Sequence, residues 1–499
     1  MGFPVTRAFI ACAAYLSLLG CSSEAKNASA SEAQLMDPAT CAECHQKQYA
    51  EWSGSMHAYA SDDPLFVALN QRAQDQAQLG NLCVNCHAPM AARTNATTDG
   101  TNLASLAAPL HGVTCYACHA VDKVMDTHND ALHVANDSTL RGEYADPFPN
   151  GVHQSVYSQV HDRAQLESSS LCGSCHDVVN GHGVAIERSF LEWQSSAFNS
   201  ATGSTCSQCH MNKATERAPA ANVAGAPMRD LHSHEFPGVD LALLDFPQAD
   251  EQRAAVQGFL DTTLQTALCV RGRGASASVV VIVDNVASGH RFPSGAAQDR
   301  RAWFEVAAFA KGAELLHSGN VPLGTDPTAQ SDPDLWLVRD CMLDSQGNPV
   351  SILWDATSVD SNLLPPQLTF DRSSPLYYQT HVTRSFPKDP LTGLSAFPDR
   401  VTLDVHLQPF PLELFDDLFS DPGRFGLDTD GVAALRGKLV PLSIGQQLVW
   451  TPSAAADTAH GGLSYIDQGV PVACVTSTGM NAAADKVPAP EHVAAACGQ

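Results

Sequence analysis

The sequence predicts two unlike parts: an irregular, mainly helical domain that cannot build a core of its own, followed by an all-β, sandwich-like domain. Three observations carry this reading. Five copies of Cys-x-x-Cys-His stand between residues 41 and 210 of the 499-residue chain. Few apolar periodic runs lie between them. After about residue 250 the chain turns to short apolar or alternating segments punctuated by Pro and Gly.

The motifs are Cys41-Ala42-Glu43-Cys44-His45, Cys83-Val84-Asn85-Cys86-His87, Cys115-Tyr116-Ala117-Cys118-His119, Cys172-Gly173-Ser174-Cys175-His176 and Cys206-Ser207-Gln208-Cys209-His210. This is the attachment pattern of c-type haem, in which both thiols form thioethers and the adjacent His is the proximal iron ligand. A zinc site would need pairs that combine into four ligands. A thioredoxin-like motif would occur once, near a βαβ pattern. A disulfide framework gives no reason for the trailing His. Five covalently attached haem c groups are therefore expected, and at this density the haems themselves are expected to form the core. The first part is then a multihaem domain.

Residues 1–20 read as a signal peptide. Arg7 precedes the apolar run Ala8 to Leu16, which is too short for a spanning helix. Leu18-Leu19-Gly20-Cys21 resembles the bacterial lipoprotein signal-peptidase box, which implies lipidation at Cys21. Ser22 and Ser23 follow with no Asp, which by the same resemblance implies the outer membrane; an ordinary cleaved signal is the alternative. Residues 21–37, rich in Ala, Ser and Glu, predict a flexible tether. The haem domain is expected over 38–250, with helices at Gln46 to Met56 and Ser189 to Ala197.

The β domain is expected over 251–450. Ala267 to Val270 and Val279 to Val283 flank Arg271-Gly272-Arg273-Gly274, a strand-turn-strand pattern. Arg301 to Ala308, Asp334 to Arg339, Ile352 to Trp354, Arg400 to Leu407 and Lys438 to Val449 continue the series. Phe410 to Leu418 and Gly431 to Arg436 read as short helices. Residues 451–499 are rich in Ala, Thr and Gly and predict a loosely ordered tail, or one tied down by disulfides through Cys474 and Cys497. Setting aside the motif cysteines, Cys12 and Cys21, four remain: Cys269, Cys341, Cys474 and Cys497. In an oxidising compartment an even remainder suggests disulfides, with three connectivities open.

The formal net charge is -25. Such acidity excludes nucleic acid and favours a basic redox partner. An oligomer or filament is left open and unsupported by any pattern.

An iron that only passes electrons wants two strong ligands; one that does chemistry needs an open position. The segment Glu51-Trp52-Ser53-Gly54-Ser55-Met56-His57-Ala58 after the first motif resembles a stretch common in multihaem cytochromes c. So do His111-Gly112-Val113-Thr114-Cys115, Leu171 to Asp177 with Glu192-Trp193-Gln194-Ser195-Ser196, and Cys206 to Met211. Residues 38 to 235 thus resemble the superfamily of the nitrifiers' tetrahaem cytochrome, hydroxylamine oxidoreductase and cytochrome c nitrite reductase. By that likeness His57 and His111 are expected as distal ligands, then His153 or His161, then His232 or His234. Ser288-Gly289-His290-Arg291-Phe292-Pro293-Ser294-Gly295 is similar to a Gly-His-x-x-Pro-Thr-Gly element of such proteins, with Ser294 in place of Thr. His290 is expected to reach a haem and dock the domains. His128, His133 and His182 are alternates; His317, His381, His406, His460 and His492 are read as surface. The chain departs from the enzymes: it has no Cys-x-x-Cys-Lys, and the crosslinking Tyr of hydroxylamine oxidoreductase cannot be matched. The expectation is an exported electron carrier between periplasmic donors and an outer-membrane or extracellular partner. The alternative is a reductase or oxidase of small nitrogen or sulfur compounds with one open haem.

Overall fold

A computed structural model describes residues 29–135, 137–212, 217–389, 391–480 and 497. The expected signal peptide, Cys12, Cys21, the start of the expected tether and His492 lie outside the described residues. The end of the tether is folded: Ser31 and Gln34 form a capping box on the helix Glu32–Leu35. Leu35 then packs beside Tyr116.

Short helices carry the first half. Gln46–Ser53 stops before Met56 because Ser55 accepts the Ala58 amide and starts a new helix, Met56–Tyr59. Gly54 allows the break: a Cβ there would meet Gln248 Oε1 at 2.6 Å. Ser189–Gln194 likewise ends short of Ala197 and passes into a π-helical turn, Phe198–Thr202. The long helix Pro64–Ala77 starts at a capping Asp63 with Pro64 in its first turn. It joins Ala68 to an apolar cluster with Leu243, Phe410, Leu412 and Phe415 from the second half.

The second half is a β-sandwich. One antiparallel sheet runs Val382–Phe386, Ser278–Asn285, Leu264–Arg271, Val470–Thr476, Gly462–Asp467. The other centres on Arg301–Ala310 paired with Arg400–Gln408, extended by Ala313–Ser318, Trp336–Val338, Leu442–Ser443 and Leu448–Trp450. The period-two alternation explains the packing. Leu268, Val270, Val279, Val281 and Val283 face Phe304, Val306, Val401, Leu403 and Leu407 across one core. Phe304 stacks on Trp336 with ring centres 3.9 Å apart.

Four expectations need correction. Ile352 to Trp354 is not a strand but leads into the 3-10 turn Leu353–Asp355. The expected boundary at 250 falls inside the helix Ala249–Thr263, whose Val256 and Leu260 belong to the sandwich core. As far as it is described, to residue 480, the tail is tied down: Gly462–Asp467 and Val470–Thr476 complete the first sheet, and Cys474 is disulfide-bonded to Cys269 on the neighbouring strand. The other bridge joins Cys341 to Cys497. His381 is 1 % exposed rather than at the surface, with Nε2 3.5 Å from the buried Asp284 carboxylate.

Candidate haem-binding cavity

Each motif sits on a helical turn. Cys115–His119 is capped by Thr114, and Cys206–His210 by a Thr205–Gln208 capping box. The second motif lies on Val84–His87, and the fourth closes the helix Glu167–His176. The first bridges Pro38–Ala42 and Gln46–Ser53, with His45 at the latter's N-terminus. Residues three and four apart share a helix face. The spacing therefore presents both thiols and the imidazole of a motif to one side.

All five motifs converge. A single cavity of about 1730 Å³ is lined by all ten motif cysteines and by His45, His87, His119, His176 and His210. Such a volume exceeds the ~300–1,000 Å³ of ordinary ligand pockets, and packed interiors leave few voids larger than a water. The size and the donor set both fit several haems held by thioethers and imidazoles. Cys41 and Cys115 lie within hydrogen-bonding reach of one another, as do Cys86 with Cys175 and Cys172 with Cys206. Cys118 neighbours Cys172 and Cys175. The fourth motif thus reaches the second and fifth and lies near the third, and the first joins through the third. Burial pushes the Cys83 thiol up to about 11 and Cys118 up to about 12.

Four of the five motif histidines are oriented by backbone. The Nδ1–H of His45 donates to Ala220 O at 2.8 Å, that of His87 to Ala60 O at 3.1 Å, that of His119 to Arg141 O at 2.6 Å and that of His210 to Pro237 O at 2.8 Å. A carbonyl only accepts, so Nδ1 carries the proton and Nε2 keeps its lone pair, as a metal ligand requires.

Four of the five proximal rings face a second imidazole across the cavity. Ring centres are 6.3 Å apart for His45 and His153, 6.2 Å for His176 and His57, 6.5 Å for His119 and His234, and 6.4 Å for His210 and His290. Two imidazoles bound to one metal from opposite sides, each at about 2 Å, place their ring centres roughly 6 Å apart. Desolvation in the cavity wall lowers His57 to about 3 and His290 to about 4, so both rings are neutral near pH 7. His290 comes from the β domain. Asn285 and Ser288 donate to its carbonyl, and its Nδ1–H donates to Arg291 O.

The fifth proximal ring differs. Among the described residues His87 has no imidazole at that spacing; Phe66 stacks on it at 4.2 Å. His111 is not brought to the cavity. Its Nδ1 lies 2.7 Å from Asp62 and its Nε2 3.3 Å from Leu106 O. The reason is the tight turn at Gly112, φ 61°, packed on the carbonyls of His57 and Ala58. Val113 N donates to His57 O, so this segment braces His57 instead. His161 stands 5.7 Å from His119, yet both its nitrogens are engaged, with Ser158 Oγ and Cys118 O. His232 Nδ1 turns to Glu143 at 3.3 Å. His128, His133 and His182 do not line the cavity.

Sequence reasoning missed charged residues of the wall. Arg300 holds Asp240 through two bonds of 2.6 and 2.7 Å, and Glu187 and Asp299 join them on the cavity lining. Desolvation raises Glu187 to about 7 and Asp299 to about 6. No short motif marks these residues.

Residues 40–120, which contain the first three motifs, match the family described as Cytochrome c554 and c-prime. The solved penta-heme cytochrome c552 from Thermochromatium tepidum has a similar fold, with a TM-score of 0.55 and 21% sequence identity. The similarity covers 82% of this chain and 97% of that one. A search of curated proteins found no significant match. The matched stretch and the shared fold, added to the five motifs, support a multihaem c-type cytochrome with covalently attached haem c.

Proposed function

We propose that this protein is an exported pentahaem c-type cytochrome that carries electrons. Its donors would be periplasmic and its acceptor an outer-membrane or extracellular partner, with Cys21 as the lipid anchor. One observation carries the reading: a single cavity gathers all ten motif thiols and five proximal imidazoles, four of which face a second imidazole. When bound, haem supplies a reversible one-electron iron couple. The chain's part is to hold the sites close together and keep water from them. Facing imidazoles suit this role, because a closed coordination sphere reorganises little on reduction. Adjacent thiols of different motifs, from Cys41 to Cys115 and from Cys172 to Cys206, set the neighbour order. The acidic surface would steer a basic partner.

The unpaired ring of His87 favours a second reading, in which that site is open and reduces or oxidises a small nitrogen or sulfur compound. Electronic spectra of the reduced protein with and without carbon monoxide address both. The expected result is four low-spin sites that ignore carbon monoxide and one that binds it. Turnover of nitrite or hydroxylamine at that site would establish the enzyme reading. Carbon monoxide binding at two or more sites would contradict the imidazole pairing.

A further inference from the structure

We infer that Glu51 and Glu192 are positioning residues that perform the same task twice: each holds the loop that carries the imidazole facing a proximal histidine. Glu51 holds His234 opposite His119, and Glu192 holds His290 opposite His210. The inference rests on the ligation reading above.

The two places share a set of contacts. Trp52 Nε1 donates to Val113 O at 2.7 Å, and Trp193 Nε1 donates to Ser204 O at 2.8 Å. Val113 and Ser204 each precede the threonine that caps a motif helix, Thr114 and Thr205. Ser55 Oγ donates to Trp52 O at 2.7 Å, and Ser196 Oγ donates to Trp193 O at 2.8 Å. Both serines are fully buried. The helix pieces Glu-Trp-x-x-Ser at 51–55 and 192–196 are thus tied in the same way to a motif helix further along the chain, the third motif for 51–55 and the fifth for 192–196.

The carboxylates complete the parallel. Glu51 Oε2 accepts the backbone N–H of His234 at 3.0 Å. Glu192 Oε2 accepts the backbone N–H of Arg291, the residue after His290, at 3.2 Å, and Ser294 Oγ at 2.9 Å. Neither carboxylate lines the cavity; both stand behind its wall. Glu192 is 7 % exposed. A buried carboxylate that accepts loop donors is costly to move, so it pins the loop. The distance along the chain from the Glu to the motif it serves differs greatly between the two copies, so the shared contacts do not come from local spacing.

Ligand-position tests separate reach from charge. Gln keeps the reach and the acceptor but not the charge; Asp keeps the charge but is one methylene short. Glu192→Ala and Glu192→Asp are each expected to add one high-spin, carbon monoxide-binding haem per chain, while Glu192→Gln keeps the parent spectrum. Glu51→Asp and Glu51→Gln should behave the same way at the His119 site. His290→Ala serves as the reference. If His290→Ala opens a site and Glu192→Asp does not, the positioning role is overturned. If Glu192→Gln opens the site as Asp does, the charge is needed as well as the reach, and the inference of a hold through reach and hydrogen-bond acceptance is again overturned. If His290→Ala itself changes no spectrum, the ligation reading fails instead. The Gln and Asp variants decide the matter even if Glu192→Ala does not fold.

Discussion

His57→Ala is expected to turn one low-spin site high-spin and to add one carbon monoxide site per chain, with the haem count unchanged. His57 faces His176 at 6.2 Å, and its backbone carbonyl is braced by Val113 N at 2.8 Å. Phe236 closes its flank edge-on at 4.5 Å. Among the described residues no spare imidazole is placed to replace it, and His111 is turned to Asp62. The thioethers and the axial bond are independent, so attachment should survive. A low-temperature spin-state measurement together with a carbon monoxide difference spectrum reads the change. An unaltered spectrum would remove His57 from the ligand set.

Replacing Cys172 and Cys175 by Ser should have the largest effect on stability and on internal electron sharing. The fourth motif neighbours the second, third and fifth. Without it, the sites at His45 and His119 are cut off from those at His87 and His210. Partial reduction should then show two groups that no longer equilibrate rapidly. A void of only ~300 Å³ costs about 7 kcal/mol at ~24 cal/mol per Å³, much of the ~5–15 kcal/mol that stabilises a domain. The midpoint of chemical unfolding should fall steeply, or the protein should fail to accumulate. A variant with parent stability and single-phase reduction would show that the fourth site is not the hub.

The proximal half of the site was legible because its chemistry is local. Two thiols and an imidazole on one helical turn announce themselves in five residues. The facing imidazoles were legible only as a short set of candidates, since the fold brings each from far along the chain. Sequence could not separate His153 from His161, or His234 from His232. The choice depends on where Ser158, Cys118 O and Glu143 take up the other rings. His111 misled because its neighbours fit a familiar stretch, while the Gly112 turn directs it outward. The sandwich followed from alternation, but its last two strands did not. Gly462–Asp467 and Val470–Thr476 lie in a stretch whose Ala, Thr and Gly content reads as a tail, and their place comes from pairing with the buried strand Leu264–Arg271 and from the Cys269–Cys474 bridge. The Ser31–Gln34 capping box folds the end of a segment whose composition alone reads as a tether.

Intact-mass measurement of the mature protein tests the central claim most directly. Five covalent haem additions on one chain are predicted, one for each Cys-x-x-Cys-His turn in the cavity wall. A mass corresponding to three or fewer would contradict the account, because the shared cavity and its neighbour order would then not be those of a pentahaem core.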